Sequence, residues 1–247
     1  MTVSSDTTSL ALPERQALIA AVSAQALYWA VSFVVSIVLF YGNQAFVGTV
    51  PPHRPGSPIW GISLLCGTGT AAWFARSRLR RLGWRAFRAP TLRDAGVYAG
   101  AVVAVAALYS LYEIIIRATG AHDVWSSFRG FSVRDPNQAT VVLSNVLTLA
   151  GGCITVPLFE EPLFRALTFG GLIPRYGTLG AALISAMIFG AIHFDPLAFP
   201  LLTAFALIAT ASYALTRNLL VSMAVHATTN AVLLTTYIVY SLAGYTM

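Results

Sequence analysis

The sequence contains no lysine and few charges of any kind. Asp, Glu and Arg make up 10% of its 247 residues, against 57% apolar residues. A soluble domain carries charge at about a quarter of its positions, so this chain has too little to coat a water-facing surface. A soluble globular fold is excluded, and so is disorder, since apolar residues dominate. No fixed period of self-similarity points to a repeat architecture. Cysteine is scarce too. Cys66 and Cys153 fall inside apolar stretches with no CxxC spacing, and they read as small buried side chains outside any disulfide framework.

What the sequence does have is long apolar runs. About 20 such residues span a bilayer as a helix, and this length predicts an all-α, polytopic membrane protein of about seven helices. The expected spans are 17–41, 57–75, 95–116, one starting near Gln138, 178–194, 197–215 and 218–243. The cluster Pro51, Pro52, Pro55 and Gly56 makes a loop between the first two. The first apolar stretch is longer than a signal-peptide core and reads as an uncleaved span. Two regions are expected: an N-terminal membrane region of three spans, 1–137, and a C-terminal core of four spans, 138–247.

The net charge of +6 is carried entirely by arginine. In a soluble protein such a balance raises nucleic acid as a partner. Here the arginines cluster between apolar runs, where they read as a topology signal. The expected partner on this ground is the lipid bilayer, with no nucleic acid. The loop 76–94 holds Arg76, Arg78, Arg80, Arg81, Arg85, Arg88 and Arg93. Placing it in the cytoplasm gives a cytoplasmic N-terminus in a multi-pass protein of the cell membrane. With Trp84 and Phe87 among its arginines, the loop could also rest on anionic headgroups, though a plain topology signal accounts for it.

The informative residues are ionisable groups inside the second half. An ionised side chain at the centre of a span costs about 2.5–3.5 kcal/mol even on the mild insertion scale. Glu160, Glu161, Arg165, His193 and His226, with Asn230 beside them, must therefore face one another or a wet cavity. Glu161 and Arg165 are four apart, on one helix face, and can pair. Glu160 is rotated by about 100° from Glu161, and Pro162 predicts a bend. A clamp that merely staples helices is the simplest reading, but one guanidinium cannot neutralise two carboxylates. The carboxylate facing Arg165 is expected to stay ionised, leaving the other to exchange protons as a general base for water. Glu160 is assigned that role and Glu161 the pairing role, with exchange of the two left open.

His193 ends the fifth span, and His226 and Asn230 share a face of the seventh. Imidazole and amide could both donate to a developing oxyanion. Glu160, His193 and His226 could equally hold a divalent metal such as zinc, although HExxH is absent and three separate helices would supply the ligands. Glu113 and Arg117 read as an interfacial pair, His53 and His122 as solvated, and Asp195 as the start of a turn before Pro196.

Glu160-Glu161-x-x-x-Arg165, Phe189-x-x-x-His193 and His226-x-x-x-Asn230, in that order on successive apolar spans, resemble the CPBP family. That family comprises intramembrane proteases, including type II CAAX prenyl endopeptidases and bacteriocin-processing or immunity proteins. The resemblance covers about 138–230. It implies peptide-bond hydrolysis by a water that Glu160 activates, supported by Glu161 and Arg165. His193 would assist the water or bind metal, and His226 with Asn230 would form the oxyanion site. Ala166 stands where the family often has Gly. The expected function is an intramembrane endopeptidase acting on a prenylated CAAX-type or leader-bearing peptide, by a glutamate-dependent or metal-dependent mechanism. The alternative is a non-catalytic membrane partner, such as an immunity or scaffold protein. A proton-coupled transporter ranks last because no inverted repeat is present. Counted along the spans at about 1.5 Å per residue, His193 lies some two turns deeper than His226. A dip at Tyr176 and Gly177, or a tilt of the fifth span, must bring them together.

Overall fold

The computed structural model describes residues 14–42, 62–71, 73–74, 87–119 and 138–242, which contain no strand. His53, His122, Trp84 and the arginines from Arg76 to Arg85 lie outside the described residues. Helix α1 is Glu14–Gly42, and α2 is the shorter Ile62–Ala71. Helix α3, Leu92–Ala118, opens with a capping box in which Thr91 and Asp94 satisfy each other's backbone N–H groups. The chain resumes as α4, Gln138–Ala150.

The run that follows has an unusual backbone. A π-helical segment, Gly151–Thr155, leads into the short helix α5, Val156–Glu161, and a second π-helical segment, Pro162–Phe169, leads out of it. Proline at 162 cannot donate to the turn before it, and the helix widens there. Helix α6 covers Gly170–Ala191 but is broken at Gly177, whose φ of 67° and ψ of 175° are not helical. Only glycine adopts that conformation readily. The break is a hairpin. Ser185 Oγ donates to the Phe164 carbonyl at 3.0 Å, the Phe164 and Phe189 rings meet at 5.1 Å, and Ala181 packs with Phe169 and Leu172. One partner's number falls as the other's rises, so the two arms are antiparallel.

The chain then turns at Asp195, whose carboxylate accepts the N–H groups of Leu197 and Ala198 at 3.0 Å each, as expected of a turn-starting Asp. Helix α7, Phe199–Thr216, ends on Arg217 in the left-handed region, and Asn218 Oδ1 accepts the N–H of Leu220 at the start of α8, Leu219–Leu242. Among the described residues, five segments are long and apolar enough to cross a bilayer, one of them the 51-residue run Val141–Ala191 that contains the hairpin. The protein is a multi-pass helical membrane protein. The count of seven spans is not confirmed among the described residues: α2 is short, and the fourth and fifth expected spans are the two arms of one apolar run folded back at Gly177.

Side contacts lock the bundle. Arg88 donates to both Asp94 oxygens, at 2.6 and 2.8 Å, and to the Thr216 carbonyl at 2.9 Å, while Asn218 Nδ2 donates back to the Arg88 carbonyl at 3.1 Å. This ties the start of α3 to the α7–α8 corner. Phe87 packs against Ala166, Leu219 and Met223, on the bundle rather than on headgroups. Tyr98 of α3 and Thr228 of α8 share a hydrogen bond of 2.8 Å, and the Tyr112 hydroxyl donates to the Leu197 carbonyl. Arg117 pairs with Glu113 at 2.6 Å. Contrary to expectation, Cys66 is exposed and Cys153 only half-buried. A thiol on a lipid-facing helix is already in apolar surroundings, so it needs no cover from protein.

Small residues let the arms approach, as is usual between membrane helices. A Cβ on Gly190 would lie 2.4 Å from Thr203 Oγ1 and 3.0 Å from the Phe199 carbonyl oxygen. The carbonyl is backbone and cannot rotate away. Gly190→Val is therefore expected to destabilise the bundle by about 1–3 kcal/mol, read as a lower thermal unfolding temperature of the protein in detergent. An unchanged melting temperature would show that α6 and α7 are not held at this separation.

Candidate active site

The site begins with two carboxylates at the end of α5. Glu160 and Glu161 are both buried, as is Arg165 one turn on. Arg165 Nε donates to Glu161 Oε2 at 2.9 Å and Nη2 to Oε1 at 3.2 Å. This two-pronged geometry is the strongest available to an Arg–carboxylate pair. Its third arm, Nη1, donates to Thr210 Oγ1 of α7 at 3.1 Å, and the guanidinium carbon stands 5.4 Å from the centre of the Phe189 ring, within cation–π range.

Glu161 has a second partner. His226 Nδ1 lies 2.9 Å from Glu161 Oε1, and since a carboxylate only accepts, the imidazole donates. That bond fixes the ring and leaves Nε2 facing the other acid, 4.0 Å from Glu160 Oε2. Glu160 Oε2 is buried and has no hydrogen-bond partner among the described residues. Glu160 is thus the unclaimed carboxylate and Glu161 the claimed one.

His193 stands just past α6. Its Nδ1 is 2.7 Å from the Phe189 carbonyl oxygen, so Nδ1–H donates and Nε2 is left available. The Phe189 ring touches both imidazoles, with centroid distances of 5.0 Å to His193 and 6.1 Å to His226, and Phe205 closes on His226 at 5.1 Å. Both imidazoles act electrostatically on Glu160. Both imidazoles thus meet one phenyl ring, despite the two-turn difference in depth counted along the spans. Asn230 is placed one turn from His226, but its Nδ2 donates to the Gly152 carbonyl at 2.7 Å. That carbonyl belongs to the first π-helical segment, so Asn230 braces the widened turn and has one amide hydrogen left for other work.

Glu160, His193 and His226 have the donor chemistry for zinc, and both imidazoles carry the second-atom hydrogen bond that metal-binding histidines use. As placed, they do not fit: among the described residues no group of three His, Cys, Asp or Glu is close enough to hold a metal ion. The arrangement can instead polarise a water beside Glu160 and offer an imidazole nitrogen to a neighbouring oxygen.

Thr210, Phe205 and Tyr28, whose ring lies on Phe159, were not singled out from the sequence. Thr210 Oγ1 donates to its own helix at the Ala206 carbonyl, 2.8 Å away, a habit that makes threonine unremarkable in an apolar span.

Residues 142–232 match the family model described as type II CAAX prenyl endopeptidase Rce1-like. The match is in keeping with the CPBP resemblance, and it supports a protease of the CAAX type. No curated protein and no solved structure matches the chain.

Removing Arg165 leaves Glu161 buried beside His226 without its main counter-ion. Arg165→Met is expected to cost about 3–5 kcal/mol of stability, seen as a lower unfolding temperature in detergent. Adding Glu161→Gln to that variant should restore part of the loss. If the double variant is no more stable than Arg165→Met, the pair is not the electrostatic unit described here.

Proposed function

We propose that the protein is an intramembrane endopeptidase that hydrolyses a peptide bond of a membrane-associated CAAX-type peptide, with Glu160 as general base. The observation that carries this reading is the unclaimed, buried oxygen of Glu160, next to a second carboxylate already held by Arg165 and His226. Residues 138–247 form the catalytic core on this reading, and residues 1–137 an N-terminal membrane region. The N-terminus faces the cytoplasm of a cell-membrane protein.

The chemistry balances without a further group. Glu160 Oε2 takes a proton from water, and the water oxygen bonds to the peptide carbonyl carbon. The carbonyl oxygen becomes an oxyanion, met by N–H from His226 Nε2 when that nitrogen is protonated. The C–N bond then breaks, and Glu160 returns its proton to the leaving amine. Glu161 and Arg165 hold His226 in register, and His193 lines the site where the water reacts. Asn230 keeps the π-helical turn open and supplies its remaining N–H to the oxyanion side.

The test uses the full chain in liposomes with a farnesylated peptide ending in a CAAX sequence. Wild-type protein should release the terminal tripeptide. Glu160→Gln should lower kcat by at least about a hundredfold while leaving the unfolding temperature unchanged. A metal chelator should leave the wild-type rate as it was. No cleavage by wild type, or equal cleavage by the variant, removes this reading and favours a non-catalytic peptide-binding partner. Loss of activity on chelation would move the mechanism to a metal held by Glu160, His193 and His226.

A further inference from the structure

Helix α1 lies outside the matched stretch, yet it packs on the π-helical arm that follows Glu161 and on α6. Part of its inward face is polar. Gln25, Tyr28, Ser32 and Ser36 recur at intervals of three and four residues and so form one row along the helix. Ser32 Oγ donates to the Ser63 carbonyl at 3.1 Å, and Ser36 Oγ donates to Ser63 Oγ at 2.8 Å. Tyr28 is buried. Its ring lies parallel to that of Phe159, 5.7 Å between centroids and 28° between planes, which sets it beside the residue preceding Glu160. Its hydroxyl stands close enough to Ser32 and to Glu160 to interact with both.

The direction of these bonds matters. Ser32 spends its hydroxyl hydrogen on the Ser63 carbonyl, so it has none to give the Tyr28 oxygen. The Tyr28 oxygen then keeps its lone pairs for an incoming donor. Two acceptors on this side are buried without a hydrogen-bond partner among the described residues, Glu160 Oε2 and Gln25 Oε1. Buried acceptors of this kind are ordinarily met by water, which suits a site with several polar partners.

We propose that Tyr28 is a positioning residue for the reaction: its oxygen and Glu160 Oε2 each accept one hydrogen of the same water. Held by both hydrogens, that water presents its lone pair to the peptide carbonyl, and one proton passes to Glu160 as its oxygen bonds to carbon. Gln25, one turn away, accepts from a second water that follows it in. The proposal rests on the endopeptidase reading and adds a residue from outside the Rce1-like stretch, so that the N-terminal region completes the site.

The test is Tyr28→Phe in the full chain in liposomes, on the farnesylated CAAX peptide. Phenylalanine keeps the stack on Phe159 and deletes only the hydroxyl. The expected result is a fall in kcat of about tenfold, the effect of one hydrogen bond felt in the transition state, with KM and unfolding temperature unchanged. Ser32→Ala should lower kcat by a smaller factor, because it loosens the phenol without removing its oxygen. An unchanged kcat in Tyr28→Phe, with wild type active, overturns the role of Tyr28 and leaves the endopeptidase reading standing. So does a fall in kcat accompanied by an equal loss of thermal stability. An inactive wild type overturns both.

Discussion

The Glu161 carboxylate is the interaction on which the rest of the bundle depends. Its two oxygens receive Arg165 from the following turn and His226 from α8, and through Arg165 it reaches Thr210 on α7. A lone charge in this setting is expensive. Sharing it among four groups on separate elements gives those elements a reason to stay together that lipid-compatible apolar packing does not supply, since lipid tails solvate leucine as well as protein does. Fixing Glu161 also fixes the ring of His226, and with it the nitrogen that faces Glu160.

Two neighbours in sequence are thereby given different lives. Glu161 is held from two sides; Glu160 keeps an oxygen without a donor among the described residues, beside His226, whose ring is itself walled by Phe189 and Phe205. Apolar walls make each remaining polar contact count for more, because less water competes for it. The same walls explain why a phenyl ring sits between the histidines: Phe189 supports Arg165 by its face and both imidazoles by contact.

Much of this could be read before any coordinates. Glu161 and Arg165 announce their pairing by a spacing of four, and Pro162 announces the irregular helix. Charges in apolar text stand out because the membrane makes them costly. The number and limits of the spans were less legible. The fourth and fifth lie on one apolar run that folds back at Gly177, and composition carries no mark that separates a glycine in a hairpin from one in a straight helix. Thr210 was hidden because a hydroxyl that can bond to its own turn looks harmless in an apolar run. Asn230 was placed on the correct face, but its bond to Gly152 depends on a carbonyl that only a widened turn exposes. Tyr28 was invisible for another reason: its partner lies more than 130 positions away, and one tyrosine among ten carries no spacing signal.

The two π-helical segments have a consequence for how this chain can change over time. A π turn holds roughly one residue more than an α turn, so each segment advances the angular phase of everything downstream by close to 100°. The acidic pair sits between two such phase shifts, at Gly151–Thr155 and Pro162–Phe169. Substitutions on the lipid side of this arm leave its phase intact. Loss of a single residue upstream, by letting the wide turn relax to the ordinary pitch, would swing Glu160 and Glu161 away from α8 together. Evolution can therefore rewrite the letters of this arm far more freely than its length.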